Sequence, residues 1–294
     1  MITRRHFIAG AAGLMAAGRT GANPPKPTVA GLPIGLQLYT IGDAIDRDFD
    51  GALRTVAAIG YQAVEGNLGL AGRDAKALKA AYSALGLAWR SAHCGGDDLR
   101  GGLAKTIETA HSVGLDYLVC PFPLIPAGVK DVLTGIRLDD WKANADLFNH
   151  IGEQMRAAGI TFAYHNHNID FRLYDGVSGY DALLAHTDAK LVKLELDCGW
   201  MVSAGLDPVD YFGRYPGRYV MLHLKDLKHD QIPNTDLKMA STEVGKGIID
   251  WRRLLGAAGK TAVKGLYVEQ EPPFAGSSLD SARASFGYLK ALQM

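Results

Sequence analysis

Short apolar segments alternate with longer amphipathic segments along the chain from residue 32 onward. The short segments have the length and composition of β-strands. Eight strands are predicted: Ile34–Tyr39, Tyr61–Glu65, Leu87–His93, Leu115–Phe122, Ile160–His165, Leu191–Asp197, Tyr219–Lys225 and Val263–Glu269. Repeated strand–helix units favour a single (β/α)8 TIM barrel over residues 31–294. A doubly wound sheet is the weaker alternative, because no GxGxxG motif follows the first strand.

Segments with the helical period lie between these strands. The clearest predicted helices are Phe49–Ile59, Ala75–Leu85, Leu103–Val113, Trp141–Ala158 and Asp250–Ala258. A glycine follows several helical segments, where a left-handed C-cap is expected. These glycines are Gly60, Gly86, Gly114, Gly159 and Gly259.

Each predicted strand also has two different faces. In the sixth strand, apolar Leu194 and Leu196 alternate with acidic Glu195 and Asp197, and the seventh and eighth strands alternate in the same way. Because the surrounding helices need an apolar surface, the polar face is predicted to point into the barrel. Polar residues therefore gather at the C-terminal ends of the strands, where barrel enzymes carry their chemistry.

Four of these inward residues form a candidate metal site. They come from four consecutive strands: His165, Asp197, His223 and Glu269. Two imidazoles and two carboxylates suit a divalent cation such as Mn²⁺, Co²⁺, Fe²⁺ or Zn²⁺, which would also neutralise the buried charge. For any one residue alone, the alternative is a histidine bonded to a backbone carbonyl or a carboxylate paired with Lys193 or Lys225. Their common level in the barrel favours the metal.

Composition narrows the classes of function. The chain has 294 residues, and its 31 basic and 31 acidic residues give a formal net charge of zero, so no nucleic-acid partner is expected. Cys94, Cys120 and Cys198 lack CxxC spacing, which favours neither a disulfide framework nor a zinc ribbon. We expect no membrane span in the mature protein, since no run there approaches about 18 apolar residues.

The first 30 residues differ from the rest of the chain. Arg4 and Arg5 precede a mildly apolar run over Ile8–Ala17, and a proline-rich stretch, Asn23–Pro27, follows. This order resembles a twin-arginine export signal, with a chance N-terminal amphipathic helix as the alternative. Residues 1–30 are therefore predicted to be a signal peptide and linker. The mature protein is expected to be periplasmic or secreted, after export in the folded state.

Several segments, in order, resemble those of a known superfamily: IGLQLYT, GYQAVEG, AYHNHNIDF, ELDCGW, HLKD, VGKGIIDW and YVEQE. They are similar to the sugar phosphate isomerase/epimerase superfamily of xylose isomerase-like TIM barrels, in its exported bacterial branch. The resemblance implies metal ligands Glu, Asp, His and Glu on strands five to eight, of which the last three correspond to Asp197, His223 and Glu269. His165 replaces the first Glu. Trp200 stands where ketose epimerases often have a substrate-binding His.

The resemblance and the predicted metal site together imply a metal-dependent sugar isomerase/epimerase. Such an enzyme abstracts a proton next to a carbonyl through an enediolate, which the metal stabilises. The candidate catalytic residues are His167, Lys225 and Glu269. Contacts to a small carbohydrate substrate are expected from Gln37, Tyr39, Glu65, His93, Trp200 and Glu271. The alternatives are a lyase/hydratase that eliminates the aglycone from a 3-keto-glycoside, and a non-catalytic carbohydrate-binding barrel.

Two smaller features remain open. Gly245 and Gly247 flank Lys246 before a predicted helix, an arrangement that can hold an anion at the helix N-terminus. The spacing is not that of a P-loop, so a bare loop with a solvated lysine is favoured. An apolar wall for a sugar is available from Trp200, Trp141, Phe122 and Phe274, with core packing favoured for Trp141.

Overall fold

Eight parallel strands form a closed barrel in the computed structural model, which describes residues 27–126, 128–129 and 131–292. The strands are β1 (Leu32–Gln37), β2 (Ala63–Asn67), β3 (Ala88–His93), β4 (Tyr117–Cys120), β5 (Thr161–His165), β6 (Val192–Asp197), β7 (Tyr219–Leu224) and β8 (Gly265–Val268). Each strand pairs with the next, and β8 pairs with β1, with Tyr267 opposite Gly35. The predicted TIM barrel is confirmed. The predicted twin-arginine motif and apolar run lie outside the described residues.

Helices connect the strands and surround the barrel. They are α1 (Gly42–Arg47), α2 (Phe49–Ile59), α3 (Ala75–Ala84), α4 (Gly96–Arg100), α5 (Leu103–Ser112), α6 (Val132–Gly135), α7 (Leu138–Ala157), α8 (Gly179–His186), α9 (Cys198–Ser203), α10 (Pro208–Arg214), α11 (Trp251–Ala258) and α12 (Ser278–Ala291). Short 3₁₀ helices span Leu38–Ile41 and Asn168–Phe171. In the described part of the chain, no helix has both the length and the apolar character needed to cross a membrane.

Shorter strands lie outside the barrel pairing. Thr28–Val29 pairs antiparallel with the start of β1. Two further antiparallel pairs lie in the connections after β5 and β7: Leu173–Tyr174 with Val177–Ser178, and Asp226–Leu227 with Ser241–Thr242.

The two predicted faces of the strands are present. Leu194 and Leu196 on β6 are fully buried in the apolar layer between the sheet and the helices. A separate apolar cluster inside the barrel includes Val119, Ala163 and Met221. This arrangement leaves the polar residues of the inner face near the C-terminal mouth of the barrel.

The first strand ends earlier than predicted. The side chain of Gln37 accepts a hydrogen bond from the backbone N–H of Tyr39, and the chain turns there into the Leu38–Ile41 helix. Tyr39 is consequently 60% exposed and does not lie on the inward face of a strand. The fourth strand is also shorter than predicted, spanning Tyr117–Cys120.

Four of the five predicted glycine C-caps have a positive φ. Gly60 has φ +118°, and Gly86, Gly114 and Gly159 have φ between +67° and +77°. These values favour glycine, because a side chain is strained there. The prediction for Gly259 is wrong, since this residue has φ −60° and continues the right-handed geometry at the end of α11.

Candidate metal centre and active site

The four predicted metal ligands converge at the C-terminal mouth of the barrel. His165 ends β5, Asp197 ends β6, His223 lies near the end of β7, and Glu269 directly follows β8. One nitrogen or oxygen atom from each residue lies within 4.8 Å of those of the others, and all four residues are buried. The strand register therefore brings together a complete set of potential ligands.

Asp197 supplies a direct test of whether these residues fit a cation. Its Oδ1 accepts a hydrogen bond of 2.7 Å from the backbone N–H of Trp200, which caps α9. Its Oδ2 is buried and accepts no hydrogen bond of good geometry among the residues that the structure describes, although Lys225 Nζ lies 3.2 Å away. That oxygen lies 3.9 Å from both His165 Nε2 and His223 Nδ1. A buried carboxylate oxygen that faces two imidazoles and accepts no hydrogen bond fits a divalent cation.

Two carboxylates below the ligands orient the histidine rings. Glu195 Oε2 lies 3.3 Å from His165 Nδ1 and 3.2 Å from His223 Nε2. Glu65 Oε1 lies 2.7 Å from His223 Nε2 and accepts a hydrogen bond of 2.9 Å from Gln37 Nε2. The opposite ring nitrogens face the other two candidate ligands: His165 Nε2 lies 3.9 Å from Asp197 Oδ2, and His223 Nδ1 lies 2.9 Å from Glu269 Oε2. Carboxylates bonded to the second nitrogen are typical of metal-binding histidines.

Glu195 was not among the predicted site residues, and Glu65 lies at a different level of the site from the one predicted. Glu65 was expected to contact substrate, but it is fully buried beneath the ligands. The signal for Glu195 is present in the sequence, because it shares the inward face of β6 with Asp197 and comes two residues earlier. Its partners come from other strands, so their proximity is visible only in the fold.

His93 adds a positive charge to this lower layer. Its Nε2 lies 2.9 Å from Glu195 Oε2 and 3.3 Å from Glu65 Oε1. Burial alone lowers the pKa of His93, but the charge of Glu65 and the hydrogen bond to Glu195 raise it to about 9 overall. A protonated His93 therefore offsets part of the carboxylate charge. Together with Glu195, His165 and His223 it forms a second group of closely spaced potential ligands.

Lys225 lies beside the ligands and bonds to three carboxylates. Its Nζ is 2.8 Å from Glu269 Oε2, 3.0 Å from Glu271 Oε1 and 3.2 Å from Asp197 Oδ2. Burial alone lowers the pKa of this fully buried lysine, but the surrounding carboxylates raise it well above its usual value. The ammonium group is therefore held in its charged form, with the Trp200 ring 5.1 Å away.

Comparison with known proteins identifies the family to which this chain belongs. A model described as the xylose isomerase-like TIM barrel matches residues 53–292. The chain belongs to this family. An inosose dehydratase from Lacticaseibacillus casei is 28% identical over 150 residues, which cover 46% of this chain and 49% of that protein. The chain thus spans about half the length of the curated relatives that it matches.

Solved structures share the fold of this xylose isomerase-like barrel. A sugar phosphate isomerase/epimerase from Parabacteroides distasonis has a TM-score of 0.76 at 23% identity, covering 96% of this chain and 100% of that one. A xylose isomerase-like protein from Mycobacterium smegmatis, in complex with magnesium, has a TM-score of 0.61 at 17% identity, covering 90% and 98%. Structures of this family therefore include one that holds a divalent cation.

The xylose isomerase-like barrel opens into a cavity of about 670 Å³ above the ligands. Two of the ligands, His165 and Glu269, line it. Four of the six predicted substrate-contacting residues also line it: Gln37, Tyr39, His93 and Glu271. Trp200 is instead 5% exposed and packs behind the wall against His167, with ring centroids 5.2 Å apart.

His167 lines the cavity next to His165, with ring centroids 5.1 Å apart. Burial first, and then the positive charge of Lys225, lower the pKa of His167 to about 3. Its ring is therefore neutral at physiological pH. The centroid of the Phe122 ring lies 4.7 Å from that of His167. Trp141, on α7, is fully buried against Gly179, in agreement with the core packing expected for it.

Proposed function

We propose that this protein is a divalent-metal-dependent enzyme that removes a proton from a carbon next to a carbonyl group of a carbohydrate. The observation that carries the proposal is the four-ligand cluster that borders the cavity, in which the buried Asp197 Oδ2 faces both imidazoles and accepts no hydrogen bond from the described residues. A cation bound there would polarise the carbonyl and stabilise the negative charge that develops as the proton leaves.

Glu269 has the position of the base. It lines the cavity, and its Oε2 lies 2.9 Å from His223 Nδ1 and 2.8 Å from Lys225 Nζ. Burial alone raises the pKa of Glu269, but the positive charges of Lys225 and His223 lower it well below the usual value. The carboxylate is therefore ionised and able to accept a proton.

Lys225 has the position of the acid. Its ammonium contacts both Glu269 and Glu271, which line the cavity. A proton donor beside the base can protonate a departing oxygen or stabilise an oxyanion. Neutral His167, on the β5 side of the cavity, is available to bond to a substrate hydroxyl.

Elimination is the reaction that this arrangement supports best. The resemblance implies two metal-bound glutamates for a ketose epimerase that works on both faces of its substrate. Here His165 takes the place of one of them, and burial lowers its pKa well below the usual value. One carboxylate base with an adjacent acid suits proton abstraction followed by loss of water or of an aglycone from a keto-sugar. The relatives named inosose dehydratase support the same class of reaction.

Isomerisation or epimerisation is the second candidate. The 2.8 Å between Glu269 Oε2 and Lys225 Nζ favours it, because a base and an acid at one place can move a proton between neighbouring carbons on one face. The first step is common to both candidates, and the fate of the resulting enolate separates them.

Deuterium exchange distinguishes these reactions. The metal-loaded protein is incubated in D₂O with ketoses and with 3-keto-glycosides, and NMR follows the products. For elimination, loss of the aglycone or of water is expected, with the α-proton removed and a double bond left between the α-carbon and its neighbour. Deuterium incorporation or isomeric products without a leaving group would select isomerisation or epimerisation. Sugar binding with neither deuterium exchange nor release of a leaving group on any substrate would reject the enzyme and leave a carbohydrate-binding barrel.

A further inference from the structure

We infer that the substrate is an uncharged glycoside with an apolar aglycone, and that the site rejects phosphorylated sugars. The inference rests on the proposed function, because it concerns the cavity above the same ligands. It follows from the depth and lining of that cavity and from the partners of the nearest cationic groups.

The cavity extends well beyond the metal ligands. Its volume of about 670 Å³ lies within the range of about 300–1,000 Å³ found for pockets that enclose drug-sized ligands. Its inner end is formed by His165, His167 and Glu269, and its outer part by loops that carry Leu70 and Phe274. A sugar positioned at the ligands therefore leaves room toward the loops for a second group.

The outer part of the cavity offers apolar surface to that second group. Tyr39, Leu70, Pro272 and Phe274 line it, and Tyr39 is 60% exposed. Aromatic rings and proline present flat apolar faces that stack on rings of a ligand and gain energy from their burial. An aromatic or otherwise apolar aglycone matches this surface better than a second polar sugar does.

Charge along the cavity opposes an anionic substrate. Four carboxylates line it, and within the described residues its lining contains neither lysine nor arginine: Asp43, Asp46, Glu269 and Glu271 are the acidic residues. Proteins usually bind phosphate through arginine, lysine or helix N-termini. Away from the candidate ligands and from His93, whose charge Glu65 and Glu195 offset, a phosphate would instead meet the carboxylates of Asp43 and Asp46.

The nearest cations already have acidic partners. Lys225 Nζ lies within 3.2 Å of carboxylate oxygens from Asp197, Glu269 and Glu271. At the outer rim, Arg47 Nη2 is 2.8 Å from Asp43 Oδ2. A phosphate would have to displace these carboxylates.

The loop of Gly245 and Gly247, a candidate anion site in the sequence, is occupied by a side chain of this protein. Asp226 Oδ2 accepts hydrogen bonds from the N–H groups of Gly245 at 2.9 Å and Gly247 at 3.3 Å, and from Trp251 Nε1 at 2.8 Å. Its Oδ1 accepts a bond of 3.2 Å from Ile249 N. A Cβ at position 247 would overlap Asp226, which explains why this residue is glycine. The loop stabilises a carboxylate of the fold and has no room for a phosphate.

Calorimetric titration of the metal-loaded protein tests the inference with four neutral or phosphorylated probes. Phenyl β-D-glucopyranoside is expected to bind about tenfold or more tightly than methyl β-D-glucopyranoside, because only the first buries an aromatic ring. Glucose 6-phosphate is expected to bind at least about tenfold more weakly than glucose. Equal or tighter binding of the phosphate ester, or no preference for the phenyl glycoside, would overturn the inference.

Two variants locate these effects. Phe274→Ala, in a loop, should remove most of the phenyl preference, and Leu173→Ala, at a 67% exposed residue outside the cavity lining, should leave it unchanged. Asp46→Lys should improve binding of glucose 6-phosphate, whereas Asp139→Lys on the distant helix α7 should not. Unchanged selectivity in both cavity variants would also count against the inference.

The binding assay keeps this inference separate from the proposed function. Preference for the phenyl glycoside, with neither α-proton exchange nor release of a leaving group on any keto-sugar, would reject the proposed function alone. Exchange on phosphorylated ketoses, together with their tight binding, would support the proposed chemistry and reject the uncharged substrate.

Discussion

The side-chain amide of Asn166 forms two hydrogen bonds with the backbone of Asp197. Asn166 Nδ2 donates to the Asp197 carbonyl at 3.2 Å, and the Asp197 N–H donates to Asn166 Oδ1 at 3.0 Å. The backbone pairing of β5 with β6 ends one residue before Asn166, at His165 opposite Glu195. The amide therefore continues the pairing past the strand end and fixes Asp197, a proposed metal ligand, relative to His165.

Asn166→Ala should weaken metal binding by about 10- to 100-fold, the usual cost of losing a group that orients a ligand. Asn144→Ala is a matched control. The Asn144 amide makes the same pair of bonds with the backbone of Leu124, at 2.7 and 3.1 Å, away from the ligands. Metal titration monitored by calorimetry should separate the two variants, and equal metal affinities would contradict the positioning role.

Asp197→Ala should abolish bound metal and leave the barrel folded. The substitution removes the Oδ2 that faces both imidazoles and also the N-cap of α9, and loss of the cap costs about 0.5–2 kcal/mol. Asp207→Ala removes the corresponding cap of α10, where Asp207 Oδ1 accepts a bond from Val209 N, without touching the ligands. Both variants should lose similar stability in thermal unfolding. Full metal occupancy of Asp197→Ala by elemental analysis would refute the assignment.

His165 and His167 should have separable roles. His165 ends β5 with Nε2 near Asp197, whereas His167 lines the cavity two residues later. His165→Ala is expected to empty the metal site, because it removes a ligand. His167→Ala is expected to retain metal and to lose turnover. Metal content and deuterium exchange measured on both variants test this, and the reverse pattern would exchange the two assignments.

The sequence predicted the four ligands because each obeys two simple constraints. His165, Asp197, His223 and Glu269 lie on the polar face of a strand and at its C-terminal end, and a parallel barrel brings those ends together. The apolar face of each strand must be covered by helices, and this requirement assigns the polar face to the barrel interior. The barrel and its candidate metal site could therefore be predicted from alternation alone.

Other features depend on contacts between distant segments. Gln37 turns the chain out of β1 through a side-chain bond to Tyr39 N, and no periodicity encodes that bond. Asp226 holds a loop about 20 residues further along the chain, so its role depends on how that loop folds. The sequence does not distinguish Glu195 from other inward carboxylates, and only its distances to His165 and His223 reveal its role.

Lys225→Met should lower turnover by about 10²- to 10⁴-fold, the usual contribution of a positioned acid. Lys193→Met is the control, because Lys193 Nζ contacts only the carbonyl of Gly217, at 3.0 Å, among the described hydrogen bonds. Loss of the Lys225 charge also removes the main factor that lowers the pKa of Glu269. The acidic limb of the pH–rate profile should therefore move to higher pH. A reduced rate with an unmoved profile would indicate a structural role only.

Asp170 introduces a pH dependence of stability. Its Oδ2 accepts hydrogen bonds from Tyr164 Oη at 2.8 Å and from His167 N at 3.1 Å, while its buried Oδ1 has no partner within the described ranges. Burial raises the pKa of Asp170 from 3.8 to about 8, although both hydrogen bonds act in the opposite direction. The folded protein therefore keeps this carboxyl group protonated at neutral pH.

The sign of the effect follows from proton binding. Between about pH 4 and pH 8 the folded state holds a proton on Asp170 that the unfolded state has released, so the free energy of unfolding falls as pH rises through this window. An asparagine can accept the same two hydrogen bonds and has no proton to lose. Asp170→Asn should thus become more stable relative to the unmodified protein as pH rises from 5 to 8, at up to about 1.4 kcal/mol per pH unit. Thermal unfolding of both proteins at matched metal concentration measures this difference in stability. Taking the difference removes the pH dependence that the two proteins share. Parallel curves over that range would show that Asp170 is ionised in the folded protein.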